Sequence, residues 1–260
     1  MNATVDLSEA SNAQRQAACG ALPAMAEATP SDSLEARAPQ VPAYLREIYH
    51  WAYLNPRAVR FFDSELIVSL ILWGNHRRLR QAAFAELRPG QSVLQSACVY
   101  GDFSPRLARH LGPEGRLEVI DVAPIQVDGC RHKLRDFPQA VVQHTDAEQL
   151  HKERYDVACC YFLLHELPSD SRHAVVDALL ESVVPGGKVV FVDYHRPHWA
   201  HPLKPVMSLV FDTLEPFAKD LWDNEVSHYG GESDEFVWRK ETYFGGLYQK
   251  VVAEKKAEPA

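Results

Sequence analysis

Short apolar runs alternate with amphipathic stretches along most of the chain, and each run predicts a secondary-structure element. The apolar runs predict β-strands at residues 92–97, 116–121, 140–144, 155–161 and 188–194. Helical periodicity lies between them, at residues 105–111, 124–136 and 169–184. Short apolar strands that alternate with helices are typical of a parallel, doubly wound α/β sheet.

The C-terminal part of the pattern is different. A helical region at 203–222 precedes two β-rich runs, 236–244 and 247–253, which flank the pair Gly245-Gly246. A two-residue glycine link favours a β-hairpin. One strand near the C-terminal end is therefore predicted to run antiparallel to the others.

The N-terminal half of the pattern predicts helices ahead of the sheet. One is expected at 42–53, and Asn55-Pro56 is a good start for another, since Asn caps helices and Pro suits the first helical position. An apolar stripe then follows helical spacing, at Val59, Phe62, Leu66, Ile67, Leu70 and Ile71. The stripe has two interpretations: ordinary core packing, or an apolar wall shared with a ligand or a bilayer surface.

Residues 1–40 are rich in Ala, Ser, Glu and Pro, and their only cations are Arg15 and Arg37. Neither a secretory signal nor an Arg-rich transit peptide has this composition. We therefore expect a disordered tail at 1–40, a helical cap at 41–90 and the α/β domain at 91–260.

Composition narrows the class of protein. Hydrophobic residues make up 46% and charged residues 24% of the chain, enough apolar side chains for a packed core. Its 27 Lys and Arg against 35 Asp and Glu give a net charge of −8, which argues against nucleic-acid binding because that requires basic surface.

The cysteines and the lengths of the apolar runs indicate the cellular compartment and whether the chain crosses a membrane. The five cysteines include no CxxC pair, and Cys159-Cys160 are adjacent in an apolar run. Buried thiols in a reducing, cytoplasmic compartment explain this better than disulfides do. No apolar run approaches the roughly 18 residues of a membrane span, so we expect none.

The segment VLQSACVYGDFSPRLARHL, residues 93–111, carries the main chemical signal. It predicts a strand, a tight turn and a helix capped by Ser104. In open α/β sheets, nucleotide-like ligands bind at this crevice. Asp121 ends the next strand, about 20 residues beyond Gly101, the separation at which an acidic residue reaches ribose hydroxyls. Helix capping is the alternative role for Asp121.

On these residues the chain resembles class I S-adenosylmethionine (SAM) methyltransferases, whose first motif usually reads VLDLGCGTG. The resemblance includes Asp121 at the ribose position, Asp146-Ala147 beside the adenine and the fifth-strand segment VPGGKVVFVDY at 184–194. It implies an α/β fold with a doubly wound, mostly parallel seven-stranded sheet of the Rossmann type, an antiparallel C-terminal strand and added N-terminal helices.

The first motif departs from that pattern. Gln95 replaces the acidic residue, Ala97 and Val99 replace glycines, and Tyr100 replaces a small residue, so only Gly101 remains. The lost glycines would have let the backbone approach the methionine end of SAM. The departures fit either a non-catalytic scaffold or chemistry other than methyl transfer.

A narrower resemblance favours the second interpretation. The segments CVYGDFSPRLA, YFLLHELP, VDYHRPHWAHPLKP, TLEPFAKDLW and AYLNPRAVRFFDSELIVSLILWGN are similar to the RquA family of rhodoquinone biosynthesis enzymes. The resemblance implies conversion of ubiquinone to rhodoquinone, with a ring methoxy replaced by an amino group from SAM. It also implies a divalent metal, preferably Mn²⁺. Peripheral binding to the cytoplasmic side of the inner membrane is expected, because the substrate has an isoprenoid tail. Ordinary quinone or phenol methyl transfer is the alternative.

The candidate residues follow from these placements. Those proposed as catalytic are Tyr100, His165, Glu166, Asp193 and His195. Those proposed to contact SAM are Gln95, Ala97, Val99, Tyr100, Gly101, Asp121, Val122, Gln126, Asp146, Ala147 and Phe162. For His165 and Glu166 a purely structural role is the alternative.

No metal ligand is assigned. Manganese prefers hard oxygen ligands, so Asp193, Glu166 and Asp102 are better candidates than the histidines. His195, His198 and His201 make a weak zinc pattern, since no cysteine accompanies them. The oligomeric state is not indicated.

Overall fold

A computed structural model describes residues 39–152, 154–231 and 234–257 of the chain. The tail expected at 1–40 thus lies almost entirely outside the described residues. The core is one seven-stranded sheet, ordered β3-β2-β1-β4-β5-β7-β6. Its strands are β1 Ser92–Gln95, β2 Arg116–Asp121, β3 Ala140–His144, β4 Tyr155–Tyr161, β5 Val183–Tyr194, β6 Phe236–Tyr243 and β7 Tyr248–Lys255.

The strand directions confirm the predicted fold class. Strands β1 to β5 pair in parallel, whereas β7 pairs antiparallel with both β5 and β6. Gly245 and Gly246 link β6 to β7 with φ values of 61° and 87°, a conformation that suits glycine. The hairpin predicted from this pair is confirmed.

Helices cover both faces of the sheet. They are α1 Ala43–Glu47, α2 Pro56–Phe62, α3 Glu65–Ile71, α4 His76–Phe84, α5 Phe103–Leu111, α6 Pro124–Leu134, α7 Ser169–Ser182, α8 Lys204–Thr213 and α9 Asp220–Asp223. One core joins α4, α5, α6 and α8 to the sheet, and a second core joins α7 to the opposite face. The inner strands β1, β2, β4, β5 and β7 bury alternate residues in the two cores, which explains their nearly continuous apolar runs.

Several predicted boundaries are wrong. The helix expected at 42–53 is α1, Ala43–Glu47, followed by a π-helical turn at His50–Leu54. Two other differences concern the sheet and the helix after β1. Helix α5 begins at Phe103, so Ser104 lies inside it and its hydroxyl accepts a hydrogen bond from Gln95 Nε2 at 2.9 Å instead of capping. Strand β5 begins at Val183, and Pro185-Gly186-Gly187 is part of it. A register shift between Tyr155 and Val157 of β4 accommodates the extra residues.

The N-terminal helices lie against the carboxyl edge of the sheet. Asn55 caps α2 as predicted, its side chain accepting from Arg57 N at 3.0 Å. The apolar stripe does not form one helix, because α2 ends at Phe62 and α3 begins at Glu65. Leu66 and Leu70 are 77% and 72% exposed. The stripe is therefore not ordinary core.

Candidate active site

A cavity of about 540 Å³ lies at the carboxyl ends of β1, β2, β4 and β5. The cavity is lined by the loops that follow these strands and by the N-terminal helices. Parallel strands bring their carboxyl ends to one edge, which is where open α/β sheets bind ligands. The sequence segments that carried the chemical signal therefore meet at one place.

Asp121 holds together the loop that follows β1. Its Oδ2 accepts a hydrogen bond from Cys98 N, and its Oδ1 accepts from Ala123 N, both at 2.8 Å. Burial raises the pKa of Asp121 to about 6, against the opposing effect of these donors. Each carboxylate oxygen has a second lone pair, so the residue remains able to accept a ligand hydroxyl.

Tyr100 connects the same loop to the N-terminal helices. Its hydroxyl donates to the carbonyl of Ala52 at 2.6 Å and accepts from Gln126 Nε2 at 3.0 Å. Its ring stacks on that of Tyr53, with centroids 5.5 Å apart. The side chain thus lines the cavity with its hydroxyl already paired, and burial raises the pKa of Tyr100.

Asp63, between α2 and α3, makes a second connection to this loop. Its Oδ1 accepts from Gly101 N at 2.9 Å and from Lys133 Nζ at 2.7 Å. The same ammonium group donates to the carbonyls of Val99 and Gly101. Gly101 has φ of +77°, which glycine adopts without strain. Asp63 and Lys133, which lie outside the sheet, therefore hold the loop after β1, residues 96–102, in its observed conformation. We call this segment the cofactor loop.

His165 lies in a short 3-10 turn, Leu164–Glu166, directly after β4. Asp193, at the end of β5, fixes this turn by accepting from Leu164 N at 2.9 Å. His165 Nδ1 lies 2.9 Å from Asp193 Oδ1. Burial alone would lower the pKa of His165, but Asp193 and the other nearby carboxylates outweigh it and raise that pKa to about 9. His165 therefore carries a positive charge at neutral pH.

Glu166 faces the cavity beside this histidine. The hydroxyl of Tyr53 donates to its Oε1, and His165 Nε2 lies 3.8 Å from the same atom. Burial raises the pKa of Glu166 to about 8; Glu215 adds to the shift, and His165 opposes it. The carboxyl group can thus hold or release a proton close to neutral pH.

Glu215 is a cavity residue that the sequence analysis missed. It follows α8 and lines the cavity, and the hydroxyl of Tyr49 is its hydrogen-bonding neighbour. Burial raises the pKa of Glu215. A possible signal was an acidic residue directly before Pro216 at the end of an apolar helix.

The structure brings most of the proposed site residues together. Those that line the cavity are Ala97, Val99, Tyr100, Gly101, Asp121, Val122, Gln126, Asp146, Ala147, Phe162, His165 and Glu166. Three others do not line it. Gln95 is fully buried and donates to the carbonyl of Ala97 at 2.7 Å. Asp193 is buried behind His165, and His195 Nδ1 bonds to the carbonyl of Gly246 at 2.8 Å.

The donor set does not fit a resident manganese ion. Within residues 39–152, 154–231 and 234–257, no three His, Cys, Asp or Glu side chains form a group that could hold a metal. Asp102 pairs with Arg80 at 2.6 Å, and Asp193 is occupied by backbone N–H groups. His198 and His201 instead accept from backbone N–H groups of their own loop.

Comparisons with known proteins agree with the geometry. The family described as "Methyltransferase domain" matches residues 93–187. The ubiquinone/menaquinone biosynthesis C-methyltransferase UbiE of Coxiella burnetii is 28% identical over 172 residues, covering 63% of this chain and 68% of the relative. UbiE of Shewanella pealeana is 24% identical over 142 residues, covering 51% of this chain and 55% of the relative. The chain thus spans little more than half of that relative's length.

A solved structure shares the fold. N-methyltransferase NodS from Bradyrhizobium japonicum WM9, in complex with S-adenosyl-L-homocysteine, superimposes with a TM-score of 0.53 at 16% identity, covering 78% of this chain and 94% of that chain. The domain match covers residues 93–187, and the solved structure shows that the chain has the fold of class I methyltransferases. The residues present fit SAM, since Asp121 offers acceptors for ribose and Asp146-Ala147 line the cavity beside it.

Proposed function

We propose that the chain is a SAM-dependent transferase that converts ubiquinone to rhodoquinone by replacing a ring methoxy with an amino group. The relatives named for ubiquinone and menaquinone biosynthesis support a quinone substrate. The resemblance to the rhodoquinone biosynthesis family supports the amino transfer. Bound SAM supplies the nitrogen.

The observation that carries the proposal is the pair His165 and Glu166, buried at the cavity beside a cofactor loop that lacks the usual glycines. Amino transfer requires an amine to lose a proton and a methoxy to leave as methanol, after which the Cα–N bond of SAM breaks by elimination with loss of a Cβ proton, so that no oxidant or reductant is needed. Groups with pKa values near the working pH are suited to both proton movements. In this interpretation Glu166 accepts the proton, and the protonated His165 donates to a quinone carbonyl.

The apolar mouth of the cavity supports a lipid-soluble substrate. The residues that line it include Leu70, Ile71 and Trp73, in α3 and just after it, and Val210 and Leu214, in α8 and just after it. Four of these five side chains are among the exposed large hydrophobic residues, at 42–72% exposure. Such surface suits an isoprenoid tail and peripheral contact with a bilayer. None of the helices in the described residues is long and apolar enough to cross a membrane.

Ordinary quinone methyl transfer is the second candidate, since the curated relatives are C-methyltransferases. The side chains of Val99 and Tyr100 argue against it, because both line the cavity where the usual glycine and the usual small residue would leave room. The two reactions differ in which atom of SAM reaches the quinone.

Expression in a ubiquinone-producing host that lacks rhodoquinone tests the proposal. Cells are grown in parallel with methyl-labelled and with ¹⁵N-labelled methionine, and their quinones are analysed by mass spectrometry. We expect rhodoquinone containing ¹⁵N and no added methyl label. A methylated quinone would establish the second candidate, and an unchanged quinone pool with no SAM binding by calorimetry would favour a scaffold.

A further inference from the structure

The exposed apolar side chains of this molecule are concentrated in one region. Twelve large hydrophobic residues of the described chain are exposed, and two of them, Val141 and Val237, lie on the edge strands β3 and β6. The other ten lie in the N-terminal helices or in the segment 199–214 that follows β5: Trp51, Phe61, Leu66, Leu70, Ile71, Trp73, Trp199, Val206, Leu209 and Leu214. We call these ten residues the mouth face.

The mouth face surrounds the opening of the cavity. Five of its residues are exposed and also line the cavity, so they lie where the cavity opens: Trp51, Leu70, Ile71, Trp73 and Leu214. Any partner that covers the mouth face therefore covers the opening. A bound protein or a second copy of this chain would close the cavity to its substrate, whereas a bilayer would continue its apolar wall and supply a lipid-soluble substrate.

The charged residues beside the mouth face favour an anionic surface. Arg57, Arg60 and Arg77 are exposed, and no side chain in the described ranges pairs with their guanidinium groups. The two carboxylates between Arg60 and Arg77, Asp63 and Glu65, are each paired with a Lys or Arg side chain. The uncompensated charge in this region is therefore positive, although the whole chain has a net charge of −8.

The rest of the mouth face has the same character. Asp212, the only carboxylate of α8, is paired with a lysine. Trp51 and Trp73 are 41% and 42% exposed, and Trp199 is 80% exposed. Tryptophan is enriched at the headgroup level of bilayers, since its ring is apolar and its N–H group is polar. Apolar helices, exposed tryptophans and free arginines together match the composition of a membrane interface.

We propose that the mouth face docks on a bilayer that contains anionic lipids, with its apolar side chains among the acyl chains and its neighbouring arginines at the phosphate headgroups. This inference deepens the proposed function, on which it rests for the identity of the quinone, by naming the surface from which the cavity takes its substrate. Docking turns the opening toward the membrane, so that the quinone ring reaches the cavity while its tail stays in lipid.

Vesicle flotation tests docking without any reaction. The full chain is mixed with vesicles of phosphatidylcholine, or of phosphatidylcholine with about one third phosphatidylglycerol, an anionic lipid. We expect wild type to bind both kinds of vesicle, and the anionic kind more tightly. Failure of wild type to bind either kind would overturn the proposal. A dimer seen by light scattering that disappears in Leu66→Gln, without vesicle binding, would assign the mouth face to a second copy instead.

The apolar contribution is tested with the double variant Leu66→Gln and Leu209→Gln. Both leucines are exposed, at 77% and 64%, and neither belongs to the described lining of the cavity. We expect binding to both kinds of vesicle to weaken by about a hundredfold, about tenfold per leucine. The control is the double variant Val141→Gln and Val237→Gln on the edge strands, which should bind within about twofold of wild type. Equal losses in the two double variants would overturn the proposal.

The charge contribution is tested with the double variant Arg57→Gln and Arg60→Gln. We expect binding to anionic vesicles to weaken by about twentyfold, and binding to phosphatidylcholine to stay within about threefold of wild type. The control removes two exposed arginines that precede β1 and β3, at the opposite edge of the sheet, as Arg88→Gln and Arg135→Gln. It should match wild type. Equal losses on both kinds of vesicle would overturn the role of anionic lipid. Thermal unfolding of each variant establishes that it is folded.

The outcome is separable from that of the proposed function. In the leucine variant, conversion of long-tailed ubiquinone in vesicles should fall by about tenfold or more, while conversion of a soluble short-tailed analogue stays within about threefold of wild type. A wild-type chain that docks but makes no rhodoquinone would contradict the proposed function and support docking. A chain that makes rhodoquinone from the soluble analogue, but binds no vesicles, would do the reverse.

Discussion

Two clusters of buried charged groups lie side by side in this molecule, and they are partnered differently. Arg172, in α7, is fully buried and donates to the carbonyls of Leu164 and Leu167 at 2.8 Å and of Phe217 at 2.9 Å. It also pairs with Asp220. The cluster at the cavity has the opposite character, since no Arg or Lys among the described residues that line the cavity pairs with Glu166, and burial raises the pKa values of Glu166 and Glu215.

The contrast separates structural from functional burial. A buried charge whose hydrogen bonds are all made holds the fold together, whereas one with unused capacity beside a cavity is available to a ligand. The two clusters are also connected. Leu164 and Leu167 flank His165-Glu166, and Phe217 lies two residues after Glu215. Arg172 therefore positions both segments that carry the cavity carboxyls.

Replacing Arg172 should have the largest effect on folding. We expect Arg172→Met to lower the free energy of unfolding by about 3–5 kcal/mol, because Asp220 and three carbonyls lose their donor. Urea unfolding measures this change. The exposed Arg135→Met is the control and should change stability by less than about 0.5 kcal/mol. A loss below about 1 kcal/mol in Arg172→Met would show that this cluster is not structural.

Glu166→Gln tests the cluster at the cavity. We expect rhodoquinone formation to fall by about 10²-fold, the scale of a lost proton acceptor. Glutamine still accepts from Tyr53, so unfolding free energy at pH 7 should not decrease. Product is measured by mass spectrometry, with Asp212→Asn as the control. Near-normal product would remove Glu166 from the chemistry.

Asp121→Ala tests a residue that has both roles. We expect SAM binding to weaken by about 1.5–3 kcal/mol, the range for a hydrogen bond to a charged group. The loop N–H groups of Cys98 and Ala123 also lose their acceptor, so unfolding free energy should fall as well. Calorimetry and urea unfolding measure the two effects, and the exposed Asp128→Ala serves as the control. Unchanged SAM affinity in a folded variant would remove Asp121 from the site.

The two clusters should also differ in their response to pH. The folded-state pKa of Glu166 is raised from 4.5 to about 8, so the folded protein retains a proton that the unfolded chain releases. The stability of wild type relative to Glu166→Gln should therefore fall as pH rises from about 5 to 8, by at most about 1.4 kcal/mol per pH unit. Urea unfolding at several pH values checks this. A flat difference would show that the carboxyl group is ionised throughout.

Tyr100→Phe should have the smallest effect and sharpens the distinction between the clusters. Its hydroxyl has both a donor and an acceptor partner. Like Arg172, it is therefore a buried polar group whose hydrogen bonds are already made. We expect a loss of about 1 kcal/mol in unfolding free energy, from the unpaired carbonyl of Ala52. Rhodoquinone formation should fall less than in Glu166→Gln. A larger fall, at unchanged stability, would assign Tyr100 a direct chemical role.

Local pattern was sufficient for much of the fold. Strands β2, β3 and β4 were predicted to the residue, because buried strands are short apolar runs with clear ends. The position of Asp121 at the end of β2 followed from the same pattern. The break of the stripe at Asp63 did not, and the partners of Asp63 there, Gly101 and Lys133, are distant in sequence. Arg172 and Glu215 were missed for the same reason: their surroundings come from tertiary packing.

Asp63 has a consequence for any attempt to move this chemistry to another protein. The stretch that matches the methyltransferase family, residues 93–187, contains the cofactor loop but neither Asp63 nor Ala52, which hold that loop, nor Glu215. A transplant of that stretch would carry Gly101 and Tyr100 without their partners. A functional transplant of this site therefore requires most of the described chain. Recombination within the chain should be tolerated only where Asp63 and the Gly101 loop come from the same parent.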